Sequence, residues 1–395
     1  MSRILMSWEL GTGMGHIDRM LLAARELRAG GHEVVFALKD LVRAWERVVA
    51  EGFEALQSPV WLPRMAQAPR LSTYAYVLAS AGWLDPHGLA GLMHAWRALF
   101  RAVAPDIVIA DHAPTALLSA RWCGQPRAAI GNGFELPPLQ RPLPAMRYWD
   151  ADECARAAHS DEFVLRPVRE AQRMTGDTPL RDLAALFADT PRLLACLPEL
   201  THYPDYGDLE PLGPCYVGDR GVPPQWPDGQ RRAFIYMNAE HAALRPLVAA
   251  LTRRGCAVLL HARGLTQADV QALGTGVRVE TRPVRIDDVM RDADIVINHG
   301  SAGTVAAVAL AGRPQWMFPN HLEQYMLARR ARDAGVGLLS EPGSPLPDVE
   351  RMLDRLFDDA DLRESCERFA RRHAGASTRQ TGCRMADGIL RALAR

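Results

Sequence analysis

The sequence predicts an α/β protein built from two Rossmann-like domains, and three observations lead there. The chain has 395 residues, which is long for one hydrophobic core and comfortable for two. Its first forty residues read as strand, glycine-rich turn, helix and strand, the opening of a parallel βαβ unit with a right-handed crossover. The same alternation resumes after residue 230, so two successive series of βα units account for the chain.

Taken in order, Arg3–Trp8 is a short apolar run, and residues 9–15 hold Gly11, Gly13 and Gly15. Residues 16–28 place Ile17, Met20, Leu21, Ala24 and Leu27 on one helical stripe, which Gly30 and Gly31 end before the strand Glu33–Leu38. Residues 60–100 differ in texture, with Trp61, Tyr74, Tyr76, Trp83 and Trp96 among helix-forming segments; such aromatics either fill a helical core or line a pocket. Residues 105–110 form a buried-type strand that ends at Asp111 and leads into a helix of small residues. Residues 128–130 form the next strand, which opens into a loop with Pro137, Pro138, Pro142 and Pro144. A proline- and glycine-rich stretch over residues 212–230 reads as a linker. Beyond it, strands are expected at residues 233–236, 257–260, 277–279, 295–297 and 315–318. The expected division is an N-terminal domain over 1–212, a linker over 213–230, a C-terminal domain over 231–380, and a terminal helix over 381–395 that packs back on the N-terminal domain.

Lys+Arg and Asp+Glu number 46 each, so the net charge is zero and nothing argues electrostatically for nucleic acid or an anionic membrane as partner. Lys39 is the only lysine, and the arginines are scattered. The N-terminus reaches a glycine turn before any apolar run long enough for a signal peptide, and no stretch could span a bilayer, so a cytoplasmic protein is expected. The seven cysteines make no Cys-x-x-Cys and no Cys/His cluster with zinc spacing. Reduced thiols, with neither a metal site nor a disulfide framework, are the expectation.

The most informative segment is Asn298-His299-Gly300-Ser301-Ala302-Gly303-Thr304, between an apolar strand and a helix of small residues. A strand that turns through glycines into a helix aims free backbone N–H groups and the positive end of the helix dipole at one spot, which suits phosphate. A tight turn with a Ser/Thr cap would look the same in isolation. Downstream follow Ala311-Gly312-Arg313-Pro314, a strand, Pro319, Glu323-Gln324 and Gly335-Val336-Gly337.

In this order and spacing, the run from His299 to Gln324 resembles the nucleotide-sugar-dependent glycosyltransferases of family 1, which have the GT-B fold of two Rossmann-like domains facing each other across a cleft. The resemblance implies that His299, Gly300, Ser301, Gly303 and Thr304 hold the donor's diphosphate. It implies that Glu323 and Gln324 bind sugar hydroxyls where the family has Asp-Gln, and that Arg285 and Ile286 lie where the base is read. Ala307 stands where many members carry a ribose-binding Glu, and in this the chain is closest to the sterol and glycopeptide-antibiotic branch. Met237-Asn238-Ala239 replaces the usual Gly-Ser turn.

In the N-terminal half the family has Gly-His-x-x-Pro; here it is Gly15-His16-Ile17-Asp18-Arg19, with arginine for proline. The match makes His16 the general base, with Gly13 and Gly15 on the donor side. Asp111 matches the acidic residue that orients the base, and His112 is a substitute candidate in this pair. Equally, His16 and Asp111 could do no more than cap helices. The resemblance implies an inverting transferase that needs no metal or cofactor and moves a sugar from a UDP- or dTDP-sugar to a hydroxyl or amine of a small-molecule, lipid or peptide acceptor. Trp61, Tyr74, Trp83, Trp96 and Phe134 are the candidate acceptor wall. A nicotinamide-dependent oxidoreductase is a rival, but His16 occupies the third glycine of the dinucleotide fingerprint. A nucleotide-sugar epimerase on the same fold is a second rival, and a catalytically silent nucleotide-sugar-binding partner subunit is a third.

Overall fold

A computed structural model describes residues 1–63, 67, 69–273 and 276–394, with backbone alone at 263, 267, 268 and 272. The chain divides into two compact units: residues 1–198, 203–213 and 377–395 form unit 1, and residues 199–202 and 214–376 form unit 2.

Unit 1 runs β1 (Arg3–Trp8), α1 (Gly15–Ala29), β2 (Glu33–Leu38), α2 (Leu41–Val49), β3 (Glu54–Gln57), α3 (Ala75–Leu78), α4 (Pro86–Val103), β4 (Ile107–Asp111), α5 (Pro114–Trp122), β5 (Arg127–Gly131), α6 (Ala151–Ala155), α7 (Ala157–Thr175), α8 (Ala185–Ala188) and β6 (Arg192–Leu194). The strands form one six-stranded parallel sheet in the order β3-β2-β1-β4-β5-β6. Strands covered by helices on both faces read as continuous apolar runs, and β1, β2 and β4 are buried almost throughout. Chain order reverses between β1 and β4, which opens a crevice at their C-terminal ends, where Trp8 pairs with Asp111.

Helix α4 buries Leu89, Met93, Trp96 and Phe100, a stripe at helical spacing. Trp83 and Trp96 are wholly interior, and Trp83 Nε1 donates to Thr115 Oγ1 at 3.1 Å. Both rings therefore belong to the packing of unit 1 and present no surface to a ligand.

Unit 2 runs β7 (Arg232–Asn238), α9 (Leu244–Arg253), β8 (Ala257–Arg263), α10 (Gln267–Ala272), β9 (Val277–Val279), α11 (Ile286–Asp292), β10 (Ile295–Asn298), α12 (Ala302–Leu310), β11 (Gln315–Met317), α13 (Leu322–Asp333), β12 (Leu338–Leu339), α14 (Val349–Asp358) and α15 (Ala360–Arg372). Its six-stranded parallel sheet has the order β12-β11-β10-β7-β8-β9. The reversal here lies between β10 and β7, where Asn298 pairs with Tyr236. One face buries Ile235, Leu247, Leu260, Ile297, Trp316 and Leu356, and the other buries Phe234, Leu259, Val289, Val296 and Val308.

The final helix, α16 (Thr378–Leu393), returns to unit 1 and packs on α1. It buries Met385, Ile389 and Ala392 there, and Gly382 sits so close to α1 that a Cβ would lie 2.8 Å from Leu22 O. The stretch 213–230, expected as a linker, divides at its start: Gly213 lies in unit 1, and Pro214 onward in unit 2. It is tied down there by the Val222–Val284 bridge and by Trp226 Nε1 donating to Asp292 at 3.1 Å. Among the described residues no helix is long and apolar enough to cross a membrane, and none of the seven cysteines is in a disulfide.

Candidate active site

The site in unit 1 lies at the C-terminal ends of the two switch strands. Strand β1 runs out through Glu9, Leu10 and Gly11, and α1 starts at Gly15, which places His16 on the first turn. Asp111 is the last residue of β4. His16 Nδ1 lies 2.8 Å from Asp111 Oδ1. A carboxylate can only accept, so Nδ1 carries the proton and donates, and Nε2 is the ring's basic nitrogen.

Neither residue is a helix cap. The N-cap of α1 is Met14, that of α5 is Ala113, and Asp111 is fully buried. The N-terminus of α5 is instead met by Glu9, whose Oε2 accepts from Thr115 N at 2.9 Å and Ala116 N at 3.4 Å. Burial pushes the Glu9 carboxyl up to about 7, against these hydrogen bonds and the nearby Lys39 charge. Lys39, the chain's only lysine, donates to Gly11 O at 2.8 Å and so pins the glycine turn.

Arg19 fills the place of the family's proline with a buried guanidinium. Its Nε and Nη2 donate to both oxygens of Asp111, at 2.7 and 2.6 Å, a bidentate pair. Glu135, on the loop after β5, is also buried; its Oε2 accepts from Asn132 N at 2.6 Å, and its Oε1 lies 3.3 Å from Arg19 Nη2 and 3.7 Å from His16 Nδ1. Two carboxylates thus face one guanidinium beside the imidazole. Trp8 stacks on His16 with ring centroids 5.5 Å apart. Polar atoms of His16, His112 and Glu135 lie within 4.8 Å of one another, a grouping that could hold a metal ion, but Arg19 already sets a positive charge against Glu135 there.

Of the candidate acceptor wall, Tyr74 and Phe134 each approach His112 with ring centroids 6.3 Å apart. Trp61 lies over Gly82 and Gly88, where a Cβ would meet its ring at 2.4 Å. Trp83 and Trp96 stand apart from this group in the core: Trp96 lies on the inward stripe of α4, and Trp83, just before that helix, is buried against Thr115.

Unit 2 carries the second site at its own switch point. His299 follows β10, and its Nδ1 donates to Tyr236 O across the switch at 3.2 Å. Asn298 is buried, donates to Gln315 Oε1 at 2.9 Å and accepts from Gly300 N at 2.7 Å, which fixes the turn. Gly300 has φ +80, the left-handed region, and a Cβ there would lie 3.3 Å from Gln324 O. Ser301 is the N-cap of α12 and spends its hydroxyl on Thr304 Oγ1 at 2.9 Å, so the first N–H groups of the helix are left for another acceptor. Gly303 faces Tyr216. Gln324 Oε1 accepts from Asn320 N at 2.9 Å, and Glu323 stands on the first turn of α13. The turn at 299–304 and the start of α13 thus come together. Arg285 caps α11 next to α12 and donates to Gly221 O at 3.3 Å, with Ile286 following. Gly13 lies in the exposed turn before α1, and Gly15 opens that helix. Ala307 points into the core of unit 2, beside Phe234 and Val308.

Arg19, Glu135, Glu9 and Lys39 are not legible in the sequence as site residues. Arg19 is visible there only as a missing proline, and Lys39 only as a compositional singleton; Glu9 and Glu135 give no signal.

Comparison with known proteins fits this arrangement. Residues 246–381 match the family described as Erythromycin biosynthesis protein CIII-like, C-terminal domain. A PGL/p-HBAD biosynthesis glycosyltransferase of Mycobacterium tuberculosis is 25% identical over 398 residues, covering 93% of this chain and 88% of the relative. Among solved structures, the glycotransferase of kitacinnamycin is similar with a TM-score of 0.74 at 20% identity, covering 99% of both chains. The glycosyltransferase VinC, in complex with dTDP, is similar with a TM-score of 0.72 at 18% identity, covering 100% of both.

Proposed function

We propose that this chain, a glycosyltransferase of the family 1 type with the GT-B fold, transfers a sugar from a nucleoside-diphosphate donor to a hydroxyl or amine of a natural-product, lipid or peptide acceptor, with inversion at the anomeric carbon. The observation that carries the reading is the buried His16–Asp111 contact of 2.8 Å, which leaves Nε2 as a base. His16 Nε2 takes the acceptor's proton as its oxygen or nitrogen bonds to the anomeric carbon. The electron pair of the bond to the diphosphate leaves with the diphosphate, opposite the attacking atom.

The leaving charge falls to the N–H groups and dipole at the start of α12, with His299 and Thr304 beside them. This electrostatic role is the one a metal would otherwise fill, so the reaction needs no metal and no further cofactor. Glu323 and Gln324 meet the sugar hydroxyls, and the segment around Arg285 and Ile286 meets the base. VinC, bound to dTDP, supports thymine as that base.

The test is thermal unfolding with UDP, dTDP, GDP and NAD in parallel. A ligand at about a hundred times its dissociation constant stabilises the fold by about 2.7 kcal/mol. In a protein of this size that raises Tm by roughly 5–10 °C. A shift with dTDP or UDP alone is expected, and a shift with NAD alone overturns the reading.

A further inference from the structure

His112 makes demands on the fold that packing does not repay. It follows β4 with φ +46, in the left-handed region that costs a residue with a side chain free energy. Its side chain is only 8% exposed, and both ring nitrogens are buried without a hydrogen-bond partner among the described residues. A buried polar atom left unpaired is a further cost. The backbone accounts for part of this position, since His112 O accepts from Leu10 N at 2.9 Å and ties together the segments that leave β1 and β4. That bond needs no imidazole.

The ring's surroundings show what it could serve. It lies 5.5 Å from the His16 ring, centroid to centroid, with Tyr74 and Phe134 at its edges. A Cβ on Gly11 would stand 2.5 Å from His16 Nε2 and 3.3 Å from His112 Nδ1, so both nitrogens face this glycine and only its missing side chain lets the His16 ring sit there. Burial lowers the His112 imidazole to about 3; the negative charges of Glu135 and Asp111 oppose this without restoring it, and His16 and Arg19 lower it further. At working pH the ring is therefore neutral, with one N–H to donate.

We propose that His112 binds the acceptor's nucleophilic hydroxyl, donating a hydrogen bond to its oxygen while His16 Nε2 takes its proton, and that this selects hydroxyl over amine acceptors. The proposal rests on the transferase reading and deepens it. A hydroxyl oxygen has one proton and two lone pairs: it donates to His16, accepts from His112, and keeps a pair for the anomeric carbon. A neutral amine has a single lone pair, which cannot both accept from His112 and attack. As the proton passes to His16, negative charge grows on the oxygen and the bond from His112 strengthens, which is when it lowers the barrier. His112 keeps its own proton throughout.

The test compares two acceptors of one shape, 4-methylumbelliferone and 7-amino-4-methylcoumarin, with dTDP-glucose as donor and the full-length enzyme. In H112A, kcat/KM for the phenol is expected to fall about 10- to 100-fold, while the donor KM stays within two-fold and the amine is little affected. Ala104 adopts φ 49 in this same chain, so alanine tolerates the backbone. H112N, which keeps a short N–H donor and favours the left-handed region, is expected to recover part of the rate. An unchanged kcat/KM in H112A, an equal loss for phenol and amine, or a change confined to the donor KM overturns the proposal. A thermal shift with dTDP or UDP in wild type and H112A alike separates the two readings: its absence from wild type with both nucleotides counts against the transferase, whereas an unmoved H112A rate counts against His112 alone.

Discussion

At the scale of single residues, the site's chemistry depends on how few groups share one buried charge. Asp111 serves Arg19 through both oxygens and His16 through one. D111N should therefore do two things that a double variant can separate. It should cost the buried Arg19 guanidinium its bidentate partner and leave Glu135 Oε1, at 3.3 Å, as the carboxylate facing it, destabilising unit 1 by about 1–3 kcal/mol. It should also cost turnover of order 10²-fold or more by unsettling the His16 tautomer. In D111N/R19M, denaturant unfolding should recover most of the stability while activity stays low; recovery of both would mean that Asp111 is structural.

Glu9 makes a second residue-scale prediction. Its carboxyl is raised to about 7 in the folded chain from an ordinary value of 4.5, so between those pH values the folded state holds a proton that the unfolded state releases. Stability from this group is full below about pH 4.5 and declines as pH rises to about 7, by about 3 kcal/mol in all. E9Q, which mimics the protonated form, should flatten that part of the stability–pH profile. An equal decline in wild type and E9Q would refute it.

At the scale of elements, the start of α12 depends on a turn that only glycine makes cheaply. Gly300 has φ +80 and sits against the first turn of α13. G300A should cost about 1–2 kcal/mol in stability and weaken nucleoside-diphosphate binding, because the N–H groups at 301–304 would no longer converge. Loss of stability with unchanged nucleotide affinity would place the anion site elsewhere. The same elements show what periodicity can and cannot reveal. The long buried strands β1, β2, β4, β8 and β10 are legible as apolar runs. The edge strands β3, β6 and β12 are not, since they are short and their residues are partly exposed or mixed in character, whereas the equally short edge strand β9 is marked by Val277 and Val279. The aromatics of residues 60–100 are ambiguous for a related reason: helical spacing puts Trp96 on one face with Met93 and Phe100 but does not say whether that face meets core or ligand.

At the scale of the whole molecule, the chain crosses from unit 2 back to unit 1 for its last helix. Removing residues 377–395 should expose the α1 surface that Met385, Ile389 and Ala392 cover, and unit 1 should unfold at a lower temperature. Unit 2, including its response to dTDP, should be little changed. A truncated chain whose His16-bearing unit melts as in wild type would show that α16 contributes no net stability.

The sequence by itself determined the two parallel α/β series, the phosphate-binding turn at 299–304 and the pairing of His16 with Asp111 as candidates. Each of these is local in the chain or recorded in an ordered motif, where apolar runs, glycines and spacing have direct physical meaning. Only the tertiary structure decided that Arg19 clamps Asp111, that Glu9 rather than Asp111 meets α5, that Glu135 joins the charge cluster, and that His112 stands buried and unpaired beside His16. The reason is that these contacts join residues distant in the chain at the ends of adjacent strands, where the partner is set by strand order and loop path, and neither quantity is written in any one segment.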